Sequence, residues 1–310
     1  MTVCMRGKDI VSVYDLTPEE VWQTLKLAET FKLRQKAGLM DRPLAGKTLA
    51  MIFHKPSTRT RVSFEVGIWQ LGGYALYLGA SDLQLRRGET LADTARTLSG
   101  YVDGIMIRTF AHDDVVELAR YATVPVINGL TDYLHPCQAL TDIFTIAEKR
   151  GRLTGLKLVY VGDGNNVANA LLHAGAKVGL QVVVATPEGH EPDQRVVAEA
   201  RQDASRTGGS VELSNRPREA VREADVIYTD VWASMGQEAE EAQRKRIFQP
   251  FQVNQSLISA ARPDVLFMHC LPAHRGDEVT DEVVDGPHSI VFDQAENRLH
   301  LQKALMALVM

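Results

Sequence analysis

Short apolar runs alternate with helical patterns along almost the whole chain, and this alternation limits the folds that are possible. The runs are LAMIFH at 49, ALYLG at 75, GIMIRT at 104, PVIN at 125, KLVYVG at 157, QVVVAT at 181, SVEL at 210, DVIYTD at 225, VLFMHC at 265 and SIVFD at 289. Strand, helix and strand repeated in this way indicate a parallel sheet that helices cover on both faces. We therefore predict an α/β fold in which each run is a strand.

The length and the grouping of the runs indicate two domains. A chain of 310 residues is too long for one ordinary core and suits two domains of about 150 residues. We predict two doubly wound parallel-sheet lobes, linked by helices, with an interdomain cleft between them. The first domain is expected at 1–134, with a C-terminal helix at 295–310 that packs back on it. The second domain is expected at 135–294.

Composition and charge exclude several classes of protein. With 45% hydrophobic and 24% charged residues, the chain has the composition of a soluble globular protein. A formal net charge of -5 argues against a general role on nucleic acid or membrane surfaces. The cysteines are odd in number and far apart (Cys4, Cys137 and Cys270), and the N-terminal sequence lacks the apolar core of a signal peptide. We therefore expect a cytoplasmic protein.

Capping residues predict where two helices of the first domain begin. Thr17-Pro18-Glu19-Glu20 combines a cap, a proline and early acidic residues, which predicts a helix that runs to about Gly38. In the stretch FHKPSTRTRVSF at 53–64, Ser57 or Thr58 is expected to cap a second helix. The apolar residues expected on that helix are Val62, Val66 and Trp69.

The basic residues of this stretch favour an anion-binding site. A helix N-terminus offers unpaired backbone N–H groups and about half a positive charge, so it binds phosphate readily. Arg59 and Arg61 oppose the helix dipole there, and arginine has the planar fork that grips phosphate oxygens. The alternative is an ordinary capped helix with surface arginines.

The sequence PSTRTRVSFE at 56–65 resembles the carbamoyl-phosphate motif of the aspartate and ornithine carbamoyltransferase family. Further motifs follow in the order of that family: Arg108 at the end of GIMIRT, HPCQALTD at 135, DVWASMG at 230, HCLP at 269 and AENRLH at 295. HPCQ, the SMG turn and HCLP resemble the ornithine branch. The resemblance implies transfer of the carbamoyl group of carbamoyl phosphate to the terminal amine of L-ornithine, giving citrulline and phosphate, with no cofactor and no metal.

The resemblance also implies a set of residues that contact carbamoyl phosphate: Ser57, Thr58, Arg59, Thr60, Gln84, Arg108, His135, Pro136, Cys137, Gln138, Cys270, Leu271 and Arg298. In the family, the loop that contains Gln84 reaches the site from a neighbouring subunit, so the resemblance implies a homotrimer or a higher assembly of trimers. Taken alone, His135-Pro136 would be a helix start and Gln84 a residue of a surface loop. The chain departs from the usual family residues at His54 and Arg86.

The residues implied for ornithine are Asn166, Asp230, Ser234 and Met235. Asp230 ends a predicted strand, where open α/β sheets place ligand-binding groups, and its carboxylate suits an α-ammonium group. Asn166 and the backbone at Ser234 and Met235 would hold the α-carboxylate. The alternative for Asp230 is a capping acid.

Four residues are expected to be catalytic: Cys270, Arg108, His135 and Asp230. The terminal amine of ornithine must attack uncharged, and with lysine as the model this form is disfavoured at pH 7 by about 4.6 kcal/mol. Cys270 is the candidate proton acceptor, although a lone buried cysteine is more often inert. We also predict a cis peptide bond between Leu271 and Pro272, so that the Leu271 carbonyl faces the carbamoyl NH2 group.

Other functions compete with this interpretation. VGDGNNVANA at 161–170 partly matches a dinucleotide fingerprint, but Val167 stands where a third glycine or alanine is expected. A non-catalytic sensor of phosphate or amino acids would need neither a proton acceptor nor donors to the carbonyl. Zinc binding by His269, Cys270 and His274 matches no closed four-ligand pattern. Among transferases, aspartate, putrescine and N-acetylornithine are the alternative acceptors.

Overall fold

The computed structural model describes residues 3–79, 83, 88–233 and 241–310. The chain divides into two compact units: unit 1 is Met1–Phe144 with Glu296–Met310, and unit 2 is Thr145–Ala295. The chain passes from one unit to the other within two helices. The domain boundary that we expected between residues 134 and 135 separates two substrate-binding domains. It stays a prediction.

The helices and strands of unit 1 follow the predicted alternation. Its helices are α1 (Pro18–Lys36), α2 (Thr58–Gln70), α3 (Leu91–Ser99), α4 (His112–Tyr121) and the start of α5 (Pro136–Arg150). Its strands are β1 (Thr48–Phe53), β2 (Tyr74–Gly79), β3 (Gly104–Arg108) and β4 (Val126–Leu130). The last helix of the chain, α12 (Val291–Val309), ends in this unit.

Unit 2 repeats the pattern with five strands: β5 (Lys157–Val161), β6 (Gln181–Ala185), β7 (Ser210–Ser214), β8 (Val226–Thr229) and β9 (Leu266–His269). Its own helices are α6 (Asn166–Lys177), α7 (Gln194–Thr207), α8 (Pro217–Ala220), α9 (Glu241–Phe248), α10 (Gln255–Ile258) and α11 (Asp281–Val284). A short 3-10 helix covers Gln249–Phe251.

Both sheets are parallel, as the sequence predicts. The four strands of unit 1 lie in the order β2-β1-β3-β4, and the five strands of unit 2 in the order β7-β6-β5-β8-β9. In β1, five of the six residues are buried, because helices pack on both faces of the sheet. Ala50 and Ile52 of β1 belong to one core cluster with Val115 and Leu118 of α4.

One predicted strand is wrong. The run SIVFD at 289 forms a single bridge, Ser289 with Phe267, and α12 begins two residues later at Val291. Ile290 and Val291 are buried, so the run is apolar because it packs in the core of unit 2, and periodicity alone does not distinguish a short strand from a buried helix start.

The apolar residues that we predicted on α2 lie on its exposed face. Val62 is 50% exposed, Val66 37% and Trp69 65%. The buried face of α2 carries Phe64 and Gly67 instead, and a Cβ added at Gly67 would lie 3.0 Å from the Met306 Cε of α12. Tyr74 and Leu76 of β2 are also exposed, so unit 1 carries a set of accessible apolar side chains on α2 and β2.

Within the described ranges, no helix is both long enough and apolar enough to span a lipid bilayer.

Candidate active site

The strand orders identify the edge of each sheet where ligands bind. In doubly wound sheets, ligands bind at the carboxyl ends of the strands where the strand order reverses. In unit 1 this point lies between β1 and β3, and in unit 2 it lies between β5 and β8. Ser57 follows β1 and Arg108 ends β3. The turn 162–165 follows β5 and Asp230 follows β8.

The N-terminus of α2 has the predicted form, with Ser57 as the cap. The Ser57 Oγ accepts a hydrogen bond from the Thr60 N–H at 3.3 Å and lies 3.1 Å from the Thr60 Oγ1. Thr58, the first residue of the helix, is exposed, and Arg59 is half-buried. Since the helix has no acidic residue in its first turn, its positive end is not neutralised locally.

Arg298 joins three helices of unit 1 at this end of the sheet. Its Nη1 donates to the Gln138 Oε1 of α5 at 2.6 Å, and its Nη2 donates to the Thr60 Oγ1 of α2 at 3.1 Å. The Gln138 amide in turn donates to the Asp142 Oδ1 at 2.8 Å. Arg298 is only 4% exposed, so the guanidinium group is fixed beside the cap of α2.

His135, directly before α5, is buried beside these cations. Burial lowers the pKa of His135 well below its usual 6.5, and the charges of Arg298, Arg108 and Arg59 lower it further. The imidazole is therefore neutral at pH 7. Its Nε2 lies 3.4 Å from the Arg298 Nη1, which can only donate, so the proton is on Nδ1. Among the described residues, Nδ1 has no hydrogen-bond partner although it is buried.

The remaining predicted residues of unit 1 lie around the same edge. Arg108 is 8% exposed, and its carbonyl accepts from the His54 N–H at 2.8 Å. The His54 Nδ1 lies 2.9 Å from the Thr109 Oγ1. Pro136 is the first residue of α5. Burial raises the pKa of Cys137 to about 12, so its thiol stays protonated. Its side chain is fully buried and its Sγ donates to the Asn128 carbonyl at 3.4 Å, so a contact with substrate would have to use its backbone.

In unit 2, Asp230 and Cys270 are in direct contact. The Cys270 Sγ donates to the Asp230 Oδ1 at 3.0 Å, and the Asn165 Nδ2 donates to the Asp230 Oδ2 at 2.9 Å. Asp230 is 5% exposed. Asn166, the predicted ligand of the α-carboxylate, is the first residue of α6 and follows Asn165 directly. The structure thus brings Asn166, Asp230 and Cys270 to one edge of the sheet.

Leu271 has an unusual backbone conformation. The Leu271–Pro272 peptide bond is cis, as predicted, and Leu271 has a φ of 57°, in the left-handed region. Its N–H donates to the His269 Nδ1 at 2.8 Å, and the His269 Nε2 lies 3.2 Å from the Glu278 Oε1. His269 and Glu278 are fully buried, so they hold Leu271 in a conformation that ordinary side chains disfavour.

Asp230, His269 and Cys270 are the group of possible metal ligands found among the described residues, with ligand atoms within 4.8 Å of one another. Both nitrogens of His269 already have hydrogen-bond partners. A metal would have to displace one of these bonds. His274, which we considered as a third zinc ligand with His269 and Cys270, is not in this group.

Gly164, in the turn after β5, allows another segment of the chain to pack closely against its backbone. A Cβ added at Gly164 would lie 2.3 Å from the Pro192 N, and the Gly164 N–H donates to the His190 carbonyl at 2.9 Å. Residues 190–192 therefore cover the backbone at Gly164. In a dinucleotide site the pyrophosphate needs that close approach, so this geometry disfavours a dinucleotide site at 161–170.

Four residues discussed above lie outside the described part of the chain: Gln84, Arg86, Ser234 and Met235. The described residues on either side of 234–240 are tied together by Arg244 of α9. The Arg244 Nε donates to the Trp232 carbonyl, and its Nη2 forms an ion pair with the Asp163 Oδ2 at 2.5 Å. Burial raises the pKa of Asp163, although Arg244 opposes this shift.

Several residues that organise the two sites were not predicted from the sequence. They are Asp142, Asn165, Asp163, Arg244 and Glu278. Asn165 lies in the sequence GDGNN, where a second asparagine beside Asn166 was a visible signal. Arg244 is one of several charged residues in EAQRKR, and its local sequence does not distinguish it from a solvent-exposed arginine.

Family models match both halves of the chain. Residues 8–148 match the model described as "Aspartate/ornithine carbamoyltransferase, carbamoyl-P binding domain". Residues 154–309 match the model described as "Aspartate/ornithine carbamoyltransferase, Asp/Orn binding domain". Together, the two models account for nearly the whole chain.

Curated relatives and solved structures agree with these matches. The chain is 66% identical to an ornithine carbamoyltransferase of Thermococcus kodakarensis over 310 residues, which cover 100% of this chain and 98% of that protein. It is 64% identical to an ornithine carbamoyltransferase of Pyrococcus furiosus that is named anabolic, with the same coverage.

The structure of a Pyrococcus furiosus ornithine carbamoyltransferase matches with a TM-score of 0.97 and 64% identity over 100% of this chain and 99% of that chain. An ornithine carbamoyltransferase of Gloeobacter violaceus matches with a TM-score of 0.89 and 47% identity over 99% of this chain and 100% of that chain. Family models, sequence identity and fold all lead to one conclusion: the chain belongs to the aspartate/ornithine carbamoyltransferase family.

Proposed function

We propose that the chain transfers the carbamoyl group of carbamoyl phosphate to the terminal amine of L-ornithine, forming L-citrulline and phosphate. The observation that carries this proposal is the pair of chemically different sites at the sheet edges. Unit 1 presents a helix N-terminus with Arg59, Arg108 and Arg298. Unit 2 presents the buried carboxylate of Asp230 and the partly buried thiol of Cys270. An anionic substrate suits the first site, and a cationic amine suits the second.

Carbamoyl phosphate is assigned to the site of unit 1. The phosphate binds at the N-terminus of α2, through the side chains and backbone N–H groups of Ser57, Thr58, Arg59 and Thr60. The neutral His135 donates from Nδ1, which has no hydrogen-bond partner within the described part of the chain, to the carbonyl oxygen. Arg108 stabilises the negative charge that grows on that oxygen during attack.

The other contacts to carbamoyl phosphate come from α5, α12 and two further segments. Gln138 and Arg298 are already joined by a hydrogen bond of 2.6 Å, so they act as one unit. Pro136 and Cys137 contribute backbone contacts at the first turn of α5. Cys270, Leu271 and Gln84 complete the proposed set, and the Leu271 carbonyl accepts from the carbamoyl NH2 group.

Ornithine is assigned to the site of unit 2. Asp230 receives the α-ammonium group, since its buried carboxylate is held by Asn165, the residue directly before Asn166. Asn166 and the backbone of Ser234 and Met235 hold the α-carboxylate. Selection for both groups excludes putrescine, which lacks the carboxylate, and N-acetylornithine, which lacks the ammonium.

The chemical step is a direct displacement. The ornithine ammonium gives one proton to the Cys270 Sγ, while the thiol proton that Cys270 donates to the Asp230 Oδ1 passes to that carboxylate, which leaves a neutral amine. The amine nitrogen forms a bond to the carbamoyl carbon, the bond from that carbon to the bridging oxygen breaks, and the second nitrogen proton passes to the departing phosphate. Orientation and charge stabilisation supply the catalysis.

The active assembly is proposed to be a homotrimer or an assembly of trimers, with Gln84 supplied by the neighbouring subunit. The exposed apolar side chains of α2 and β2 support this proposal, because monomeric proteins rarely leave large apolar patches open.

We further propose that the protein is located in the cytoplasm. The domain that binds carbamoyl phosphate is proposed to be 1–134 with 295–310, and the domain that binds ornithine 135–294.

The test is a colorimetric assay for ureido products with carbamoyl phosphate and four acceptors. We expect product with L-ornithine, and none with aspartate, putrescine or N-acetylornithine. Arg59→Ala and Cys270→Ala are both expected to lower the rate at saturating substrates. Full rates for both variants would show that the site is assigned to the wrong residues. Product with aspartate alone would show that the acceptor is assigned wrongly.

A further inference from the structure

The side-chain amide of Asn165 has only one possible orientation. Its Oδ1 accepts from the backbone N–H groups of Val167 at 2.9 Å and Ala168 at 3.2 Å, as the N-cap of α6. The Tyr160 hydroxyl donates to the same oxygen at 3.3 Å. Because donors surround Oδ1, the amide cannot be turned over, and Nδ2 must face Asp230.

The Tyr160 hydroxyl stays a donor under ordinary conditions. Burial raises the pKa of Tyr160 well above its usual 10, and the nearby acidic groups, beginning with Asp230 and Asp163, raise it further. The three groups that surround Oδ1 of Asn165 are therefore all donors: two backbone N–H groups of α6 and a protonated phenol.

Asn165 in turn fixes the Asp230 carboxylate. Its Nδ2 lies 2.9 Å from the Asp230 Oδ2, while the Asp230 Oδ1 accepts from the Cys270 Sγ at 3.0 Å. With Oδ2 bound to an amide that cannot turn, the carboxylate presents Oδ1 toward Cys270. Burying a carboxylate is costly unless hydrogen bonds replace its water, so removal of the Asn165 donor affects both the charge and the direction of this group.

We propose that Asn165 is a positioning residue, which uses the N-cap of α6 to hold the Asp230 carboxylate in the orientation that ornithine and Cys270 require. This inference rests on the proposed function. Asn165 acts through Asp230, whereas the contact with the ornithine α-carboxylate is assigned to Asn166.

Two substitutions separate capping from positioning. Serine caps helices about as well as asparagine but has no amide to donate to Asp230. Aspartate also caps well, but it places a second carboxylate against Asp230. Asn254 provides the matched control, because it caps α10 through an Oδ1 bond from the Leu257 N–H at 3.2 Å and has no role in the proposed site.

The experiment measures kcat, KM for each substrate, the pH dependence of kcat/KM and the denaturation midpoint for Asn165→Ser, Asn165→Asp, Asn254→Ser and Asn254→Asp. For Asn165→Ser we expect KM for ornithine to rise by about tenfold or more, with KM for carbamoyl phosphate unchanged. For Asn165→Asp we expect a larger loss of kcat/KM for ornithine at pH 7. The acidic limb of its profile should move to higher pH, because adjacent carboxylates bind a shared proton more tightly.

Both Asn254 variants should keep the kinetic constants and the pH profile of the unchanged protein. The inference is overturned if the Asn165 variants stay within about threefold of the unchanged protein for ornithine, or if they affect both substrates equally. If Asn165→Asp does not fold, the KM values of Asn165→Ser decide the question. An unchanged protein that forms no ureido product from ornithine overturns the proposed function and this inference with it.

Discussion

The two arginines of the sequence TRTR have different surroundings, although both lie in the first turn or so of α2. Arg61 pairs with the Glu65 Oε1 at 3.0 Å and lies over the Tyr77 ring at 3.9 Å. Arg59 is close enough to His135 to lower the pKa of that imidazole. The helix dipole acts on both arginines alike, and the sequence does not show which side of α2 faces the rest of the fold.

We predict that Arg59→Gln lowers kcat/KM for carbamoyl phosphate by about 10- to 100-fold, the range expected for the loss of a charge-assisted hydrogen bond. Arg61→Gln should stay within about threefold, because exposed ion pairs contribute little. Steady-state kinetics with carbamoyl phosphate varied at saturating ornithine compares the two. Equal losses for both variants would contradict the assignment of the phosphate to Arg59.

Single residues also show where sequence reasoning stops. Cys270 and Asp230 were predicted from their motifs and from strand ends, and the structure places them in contact. Asn165 was missed although it lies beside the predicted Asn166, because its partner Asp230 is 65 positions away. Local sequence identifies a good cap, and only the adjacent strands β5 and β8 bring that cap to the carboxylate.

Among the helices, the caps of α1 and α2 are similar in local geometry and differ in location. Thr17 caps α1 by accepting from the Glu20 N–H, and Ser57 caps α2 by accepting from the Thr60 N–H. Replacing either cap with alanine is expected to lower the free energy of unfolding by about 1 kcal/mol. Only the cap of α2 lies in the proposed phosphate site.

We therefore predict that Ser57→Ala raises KM for carbamoyl phosphate by about tenfold, and that Thr17→Ala leaves it unchanged. Urea denaturation and steady-state kinetics on the same preparations separate the loss of stability from the loss of binding. If Thr17→Ala raised this KM as much as Ser57→Ala, the effect would be one of stability alone.

The contact of α6 with α7 should make unit 2 sensitive to acid. The His173 Nε2 lies 3.1 Å from the Glu199 Oε2, and burial lowers the pKa of His173 to about 4. The unfolded chain binds this proton near pH 6.5, so the free energy of unfolding decreases as the pH falls below about 6.5. The decrease from this residue is about 2 kcal/mol between pH 7 and pH 5.

The measurement is urea denaturation at pH 7 and pH 5. His173→Gln should lose less stability between these values than the unchanged protein, because glutamine binds no proton in the unfolded chain. His274→Gln, at an exposed position, is the control and should behave like the unchanged protein. The prediction is contradicted if all three proteins lose the same free energy.

The elements themselves were the most predictable part of this protein. Nine of the ten apolar runs form strands, and the caps mark the starts of α1 and α2. The wrong strand is SIVFD, which packs partly as a helix start. Val62, Val66 and Trp69 lie on α2 as predicted, but their spacing did not show that they lie on its exposed face. Apolar spacing shows that a face exists, and the neighbouring elements decide whether it is buried.

For the whole molecule, the proposed trimer predicts that subunits with different substitutions can restore activity to each other. If Gln84 acts in the site of a neighbouring subunit, a mixture of Gln84→Ala and Cys270→Ala subunits contains some complete sites. Such a mixture, unfolded and refolded together, should recover part of the activity that each variant lacks alone. The same two variants refolded separately and then mixed are the control.

Recovery only after joint refolding would support a shared site, since subunits must exchange to form it. No recovery in a sample shown by size to contain mixed assemblies would place Gln84 in the site of its own chain, and would remove the need for a neighbouring subunit in catalysis.

The sequence alone determined the α/β class, the parallel sheets and the positions of most elements, because strand runs, caps and prolines act over a few residues. The tertiary structure decided which side chains meet: Arg298 lies 238 positions from Thr60, and Cys270 lies 40 positions from Asp230. These contacts follow from strand order, which brings β1 beside β3 and β8 between β5 and β9. Strand order depends on the packing of whole elements, so the ionisation of His135 and the orientation of Asp230 follow from contacts that local sequence does not encode.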